Sequence, residues 1–251
     1  MKLVAWSGSA SLLLTDVTKY IVTSVDGLAP AAANINTTKI ATYDGSVINS
    51  RSVEKRNIVI TVYLNGSIES NRQALYAFFA PTRPVTLEYV NDDRHLWIDG
   101  YVESFEGSFF SRAEMFQISI ICPDPYFSSR TERTVTHSGT SSFTVNDQGD
   151  APCGMLITLT ASGTVQAPEI SVNGETFSVI VEMTSGDVLT VNTRKGHKAC
   201  MLGNDNVLYA VPPGAVWVQL TPGQNTVTVN AASGGSRLST VIKYTALYVG
   251  G

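Results

Sequence analysis

At 251 residues, 43% of them hydrophobic and only 15% charged, the chain is long enough to bury a sizeable core and too apolar for intrinsic disorder. A net charge of −4, with acidic residues in excess in both halves, argues against an electrostatic nucleic-acid binder. The apolar run at 12–14 is cut short by Asp16, and no other run approaches ~20 residues, so we expect neither a signal peptide nor membrane insertion.

Strand patterns fill most of the first half. In residues 58–64, every second side chain is aliphatic (Ile, Ile, Val, Leu), and the side chains between them are Val, Thr and Tyr. This alternation, followed by Asn65-Gly66, predicts a strand and then a turn. Three more strands are predicted at residues 85–90, 96–102 and 115–121. Asp99-Gly100 inside the second of these predicts a bulge or bend.

One helix interrupts these strands. Ser70-Asn71-Arg72-Gln73 fits a capping box, in which the hydroxyl of Ser70 accepts from the amide of Gln73 and the Gln73 side chain reaches back. An apolar stripe follows it, formed by Ala74, Leu75, Phe78 and Phe79. Pro81 ends the helix because its ring cannot continue one.

Residues 29–52, which we call the arm, differ from the rest of the first half. They are rich in Ala, Asn, Thr and Ser, and the sizeable apolar side chains are few: Ile35, Ile40, Tyr43, Val47 and Ile48. A segment this long predicts a functional loop or an extended arm, with a hairpin at Asp44-Gly45. Because so few anchors could hold it against its own domain, we expect these five residues to contact a neighbouring subunit.

The composition changes near residues 122–135, which predicts a domain boundary. Cys122-Pro123-Asp124-Pro125-Tyr126-Phe127 is stiff and cannot continue a sheet, so it is the predicted domain junction. Beyond it, Asn173-Gly174 between two apolar runs predicts a hairpin. Short strands with turns between them indicate a sandwich or jelly roll, and they are predicted at residues 155–160, 170–172, 176–181, 188–192, 207–211, 216–220, 226–230 and 238–248.

Residues suited to catalysis or metal binding are scattered. His95, His137 and His197 each stand alone, and the three cysteines fit neither a disulfide framework nor a zinc pattern, so they are predicted to be reduced thiols. Other groups have plain structural interpretations: Asp92 and Asp93 as a solvated turn, residues 194–198 as a charged hairpin loop with Gly196 at positive φ, and Trp97, Trp217, Tyr126 and Phe127 as core aromatics rather than a sugar-binding face. We therefore expect no enzyme, no metal and no cofactor.

Several stretches together resemble the phage distal tail protein family. In the first half they are the strand at 56–64, Arg72-Gln73-Ala74-Leu75-Tyr76, Phe105-Glu106-Gly107, and the run from Phe116 through the Cys-Pro-Asp-Pro-Tyr-Phe junction. In the second half they are residues 146–152, Gly186-Asp187, residues 192–196, Leu220-Thr221-Pro222-Gly223-Gln224-Asn225 and the closing Tyr248-Val249-Gly250-Gly251. The resemblance covers nearly the whole chain.

The resemblance implies a mainly β fold in two domains. Residues 1–127 would form a β-sandwich-like, ring-forming tail domain with one short helix. Residues 128–251 would form a galectin-like jelly-roll β-sandwich that faces outward. The chain lacks the large second-domain insertions that hold carbohydrate-binding modules in longer family members.

The resemblance also implies a function. Six copies would form a structural hub at the tail tip of the virion, after assembly in the host cytoplasm. The ring would join the tail tube protein to tail-associated baseplate and receptor-binding proteins and let DNA pass through its channel, without specific nucleic-acid recognition.

Two other interpretations remain open on the residues alone. The first is a monomeric β-sandwich module that binds a host cell-surface glycan. The second is an all-β hydrolase, which would need a pair of carboxylates across a cleft.

Overall fold

The computed structural model describes residues 1–109 and 114–251. It divides into two compact units: residues 1–130 with 248–251, and residues 131–247. The first unit thus includes residues 128–130 and the last four residues, beyond the 1–127 expected from composition. No helix among the described residues of the chain is long and apolar enough to cross a membrane.

The first unit is built on one antiparallel sheet around an apolar core. Along the sheet the strand order is β2-β1-β7-β8-β9-β6-β3, with β10 pairing beside β9 on the long strand β8 and β22 off the main path. The elements in chain order are β1 (Lys2–Ser7), β2 (Ala10–Leu13), β3 (Tyr20–Asp26), β4 (Ala33–Thr38), β5 (Val47–Val53), β6 (Arg56–Leu64), α1 (Ile68–Phe79), β7 (Pro84–Val90), β8 (His95–Gly107), β9 (Met115–Cys122), β10 (Phe127–Ser129) and, much later in the chain, β22 (Leu247–Tyr248).

The alternation predicted for β6 is present. Ile58, Ile60 and Val62 are fully buried, while Val59, Thr61 and Tyr63 are partly exposed on the other face. The strands predicted at 85–90 and 115–121 are confirmed as β7 and β9. Sheet strands and α1 share one core, so this unit buries its apolar residues as a single cluster.

The predicted bend at Asp99-Gly100 is wrong. Strand β8 pairs with β7 in unbroken register through both residues, and its irregularity falls between Val102 and Ser104 instead. Gly100 serves packing: a Cβ there would lie 2.6 Å from Cγ2 of Ile120 and 2.9 Å from Sγ of Cys122. Only glycine lets β8 and β9 approach this closely.

Helix α1 is confirmed, but its capping box is not. The helix begins at Ile68 with Ser67 at the N-cap position and no side-chain cap hydrogen bond, so Ser70 lies inside the first turn. Gln73 donates instead to Glu69, at 3.0 Å between Nε2 and Oε1. The helix starts earlier because the turn at Asn65-Gly66 leads directly into it. It ends at Phe79, before Pro81 as predicted.

The second unit contains a six-stranded sheet, β11-β21-β13-β17-β18-β19, and a five-stranded sheet, β12-β20-β14-β15 with β16 beside β14. Residues of both sheets share one apolar core, as in a sandwich. Its strands are β11 (Arg133–Ser138), β12 (Phe143–Asp147), β13 (Met155–Ala161), β14 (Val165–Val172), β15 (Glu175–Ser178), β16 (Glu182–Met183), β17 (Val188–Asn192), β18 (Ala199–Leu202), β19 (Asp205–Asn206), β20 (Gly223–Ser233) and β21 (Leu238–Tyr244).

Two predicted strands of the second unit are wrong. Residues 207–211 contain a 3-10 turn, Leu208–Ala210, and residues 216–220 form no strand beyond an isolated bridge between Leu220 and Cys153. Prolines at 212 and 213 and Gly214 interrupt this region and deny it ladder hydrogen bonds. The hairpin at Asn173-Gly174 is confirmed: Val172 pairs with Glu175, and both turn residues have positive φ.

Candidate assembly site

The arm forms a two-stranded hairpin that lies entirely in solvent. Strands β4 and β5 pair only with each other, and every residue from 32 to 55 is exposed. The hairpin predicted around Asp44-Gly45 is therefore present, with residues 39–46 as its connection. An isolated two-stranded hairpin is marginally stable in water. Contacts with another protein surface would therefore stabilise this segment.

A bulge gives the hairpin two unlike faces. Ile35 pairs with Arg51, and Thr37 pairs with Ile48, because Asn49 is the extra residue of the bulge. Cross-strand partners share a face, so Ile35, Ile48 and Arg51 lie together. The opposite face is polar, and there the Nδ2 of Asn36 donates to the hydroxyl of Ser50 at 2.9 Å.

All five predicted anchors are exposed, but they do not form one surface. Ile35 and Ile48, which are 57% and 60% exposed, lie on the apolar face. Val47 pairs with Thr38 on the polar face, and Ile40 and Tyr43 belong to the connection. The anchors available to a flat partner are therefore Ile35 and Ile48.

Arg56, the first residue of β6, fixes the root of the hairpin. It is only 2% exposed, and its guanidinium donates to four backbone carbonyls. The acceptors are Pro125 at 2.8 Å, Ala29 at 2.5 Å, Val249 at 2.6 Å and, by a shorter contact, Gly27. One side chain thus joins the residues before the hairpin, the predicted junction and the last residues of the first unit.

The charge of Arg56 is held by dipoles rather than by an ion pair with any described carboxylate. Burial lowers the pKa of the guanidinium below its usual range. The ring of Phe127 lies under it, 4.6 Å from Cζ to the ring centroid, and adds a cation–π contact. The sequence analysis missed this residue, although an arginine at an inward-facing position of the alternating strand 56–64 was a visible signal.

The predicted junction residues turn around this arginine. Cys122, Pro125 and Phe127 are buried, Tyr126 is half-buried, and Pro123 and Asp124 are exposed. The carboxylate of Asp124 accepts from the backbone N–H of Tyr126 at 3.2 Å, which stabilises the turn. The stretch therefore gives Arg56 an acceptor and a ring while leaving Pro123-Asp124 at the surface.

The residues considered for chemistry lie apart. His95 contacts Glu88 with 2.6 Å between Nε2 and Oε1, and His137 stacks on Phe143. Among the described residues, no three His, Cys, Asp or Glu side chains are grouped as metal ligands. The cysteines are free and buried, and burial raises the pKa of Cys122 and Cys153 to about 12 and that of Cys200 to about 11.

The remaining candidates have structural roles. Asp92-Asp93 lies in the turn after β7, where Asn91 accepts from the N–H of Asp93. Residues 194–198 form the loop between β17 and β18, and Arg194 pairs with Glu132 at 2.6 Å. Trp97, Tyr126 and Phe127 belong to the first unit and Trp217 belongs to the second, and Phe127 is fully buried, so its ring offers no surface to a sugar.

Comparison with known families matches both halves of the chain. Residues 9–122 match the phage tail protein RIFT-related domain, and residues 148–248 match the siphovirus-type tail component, C-terminal domain. No curated protein sequence matches the chain.

Comparison with solved structures gives one similar fold and one weaker match. One is the crystal structure of SPP1 Dit (gp 19.1), described as a paradigm of hub adsorption apparatus in Gram-positive infecting phages; it is 17% identical, with a TM-score of 0.75, and 98% of each chain is covered. A chain of the phage P2 baseplate in its activated conformation with Ca is 10% identical, with a TM-score of 0.46, over 98% of this chain and 97% of that one.

Proposed function

Because the chain belongs to the siphovirus distal tail protein family, we propose that six copies close into a ring at the distal end of the tail tube. The protein is a structural component of the phage tail tip and baseplate hub, not an enzyme. Residues 1–127 form the ring in this proposal, and residues 128–251 form the outward-facing galectin-like domain. The ring assembles in the host cytoplasm and joins the tail tube protein to the baseplate and receptor-binding proteins.

The exposed β4–β5 hairpin is the observation that carries the proposal. Ordering a residue costs about 1–2 kcal/mol in backbone entropy, and a hairpin without tertiary contacts recovers little of that. A neighbouring subunit that covers Ile35 and Ile48 would supply the missing apolar burial. A closed ring gives every hairpin such a neighbour, because each subunit both donates one and receives one.

Arg56 supports the same role because it makes the hairpin root rigid. Ala29 and Gly27 precede the hairpin, Arg56 follows it, and the guanidinium binds both carbonyls. A fixed root limits the directions in which the hairpin can lie. That lowers the entropy lost when it binds a neighbour.

The charge balance suits a channel for DNA. Residues 1–127 carry more Asp and Glu than Lys and Arg. A polyanion should pass most easily through a neutral or acidic channel, because a basic wall would hold the phosphates. The DNA channel therefore lies within the ring of first units in this proposal.

Deleting the hairpin tests the ring. The N–H of Glu54 donates to the carbonyl of Ala32 at 2.9 Å, so a Gly-Ser linker can replace residues 33–53 without moving the root. We expect a folded protein that sediments as smaller species, whereas the full chain sediments as hexamers and gives six-fold rings in electron micrographs. Tyr209→Ser, which removes an exposed aromatic ring of the second unit, is the control and should leave rings intact. Intact rings from the deletion variant would refute the role of the arm.

A further inference from the structure

An acidic, aromatic groove crosses the outer face of the sheet in the first unit. Its volume is about 450 Å³, and its lining includes Trp6, Thr86, Asp99, Tyr101, Pro123 and Asp124. These residues come from β1, β7, β8 and the turn after β9. None of the residues that line it belongs to the β4–β5 hairpin of the same chain.

Strand register places the groove side chains on one face. Trp6 pairs with Thr86, and Thr86 pairs with Asp99, so the three form a row across β1, β7 and β8. Tyr101 lies two residues along β8 from Asp99 and therefore points to the same side. Gly100, which lies between them, and Val102, which follows Tyr101, point inward and are buried.

The two aromatic walls of the groove differ in how they are held. The indole N–H of Trp6 donates to Oε2 of the buried Glu88 at 2.6 Å, which fixes that ring in place. Tyr101 is 54% exposed. A fixed ring beside an exposed one offers apolar area to a ligand at small entropic cost.

The groove is also negative. Asp99 accepts from the hydroxyl of Thr86 at 2.5 Å and is exposed, and no described cation forms an ion pair with it. Asp124 lies on the same lining, and one of its oxygens holds the N–H of Tyr126. Carboxylates beside aromatic faces favour a guanidinium, which can pair with the former and stack on the latter.

The apolar face of the β4–β5 hairpin has the complementary chemistry. Arg51 lies opposite Ile35 and beside Ile48 on that face, is exposed, and has no ion-pair partner among the described residues. The hairpin strands have 6 and 7 residues, so they extend about 20 Å at the usual rise per residue. One molecule thus carries both a cationic apolar ridge and an acidic aromatic groove.

We propose that the groove of one subunit receives the apolar face of the hairpin of the next copy of this chain, with Arg51 against Asp99 and Asp124. Ile35 and Ile48 then pack beside Trp6 and Tyr101. This assignment rests on the proposed ring and names the receiving site within it. Groove and ridge lie on different parts of the chain, so the contact is heterologous and continues from subunit to subunit until the ring closes.

Charge reversal on either side tests the pairing in the full-length protein. Arg51→Glu and Asp99→Arg should each weaken assembly at least about tenfold, measured as the shift of the hexamer fraction with concentration in sedimentation velocity. The double variant R51E/D99R restores opposite charges, and we expect it to assemble within about threefold of the unmodified chain. Both positions are exposed, and a thermal melt of each variant checks that the fold is kept.

Two matched controls place new charges nearby without touching the proposed contact. Ser52→Glu lies on the polar face of the same hairpin, paired with Asn34, and Asp93→Arg lies in the turn between β7 and β8, outside the groove lining. Both should assemble like the unmodified chain.

The outcomes separate the two proposals. Rings that persist in R51E or D99R, or a double variant that stays dissociated, overturn the groove assignment while the ring itself stands. An unmodified chain that remains monomeric overturns both. If D99R keeps the ring but abolishes binding on a glycan array, the groove is a saccharide site and the assignment is wrong.

Discussion

Replacing Arg56 by methionine should destabilise the first unit more than any exposed substitution. The variant removes four hydrogen bonds from a charged donor and leaves the carbonyls of Gly27, Ala29, Pro125 and Val249 without it. Hydrogen bonds to charged groups contribute about 1.5–3 kcal/mol each, but they are not additive and some carbonyls would regain water. We therefore expect a loss of about 3–5 kcal/mol in the free energy of unfolding.

Differential scanning calorimetry measures this loss. For a unit of this size, that change corresponds to a melting temperature lower by about 10–20 °C. Arg56→Lys keeps the charge but cannot reach all four carbonyls. Its melting temperature should therefore lie between those of the unmodified protein and Arg56→Met. Arg83→Met, an exposed arginine, is the control and should stay near the original melting temperature. A shift under about 2 °C for Arg56→Met would show that the guanidinium does not hold the root together.

Two further predictions concern titratable groups. Because burial raises the thiol pKa of Cys122, Cys153 and Cys200, a thiol reagent at pH 8 should label none of them rapidly in the native protein and all three in denaturant; rapid native labelling would contradict the packing. Burial opposes ionisation of Glu88, but hydrogen bonds from Trp6 and His95 outweigh it and lower its pKa below the ordinary 4.5. Its contribution to stability is therefore present above about pH 4.5 and lost as pH falls through the lowered folded-state value, so Glu88→Gln should reduce the melting temperature at pH 7 and change it much less at pH 2–3; an equal reduction at both would refute this.

Local sequence patterns were sufficient to predict an alternating strand, a tight turn and the end of a helix. The alternation at 58–64, the turn at Asn173-Gly174 and the stop at Pro81 each depend on a few adjacent residues, and all are present. The Pro-Gly-x-Asn turn is equally local: buried Asn225 accepts from the N–H of Thr221 at 2.8 Å and donates to its carbonyl at 2.7 Å.

Features set by distant residues could not be predicted in this way. The apolar residues at 207–211 and 216–220 look like strands, yet they contribute Val207, Val218 and Leu220 to the core without joining a ladder. Trp6 and Asp99 lie in one row of the groove only because β7 pairs with both β1 and β8. The two faces of the hairpin depend on a bulge at Asn49, which no residue pattern in the sequence predicts.

The order in which the chain is made gives the Val249–Arg56 contact a further consequence. Translation delivers Arg56 early, but the carbonyl of Val249 is 193 residues later in sequence. Until residue 249 has been made, the root of the hairpin lacks one of its four acceptors. A chain that stops before Val249 would therefore carry a hairpin whose root Arg56 holds through three backbone acceptors instead of four.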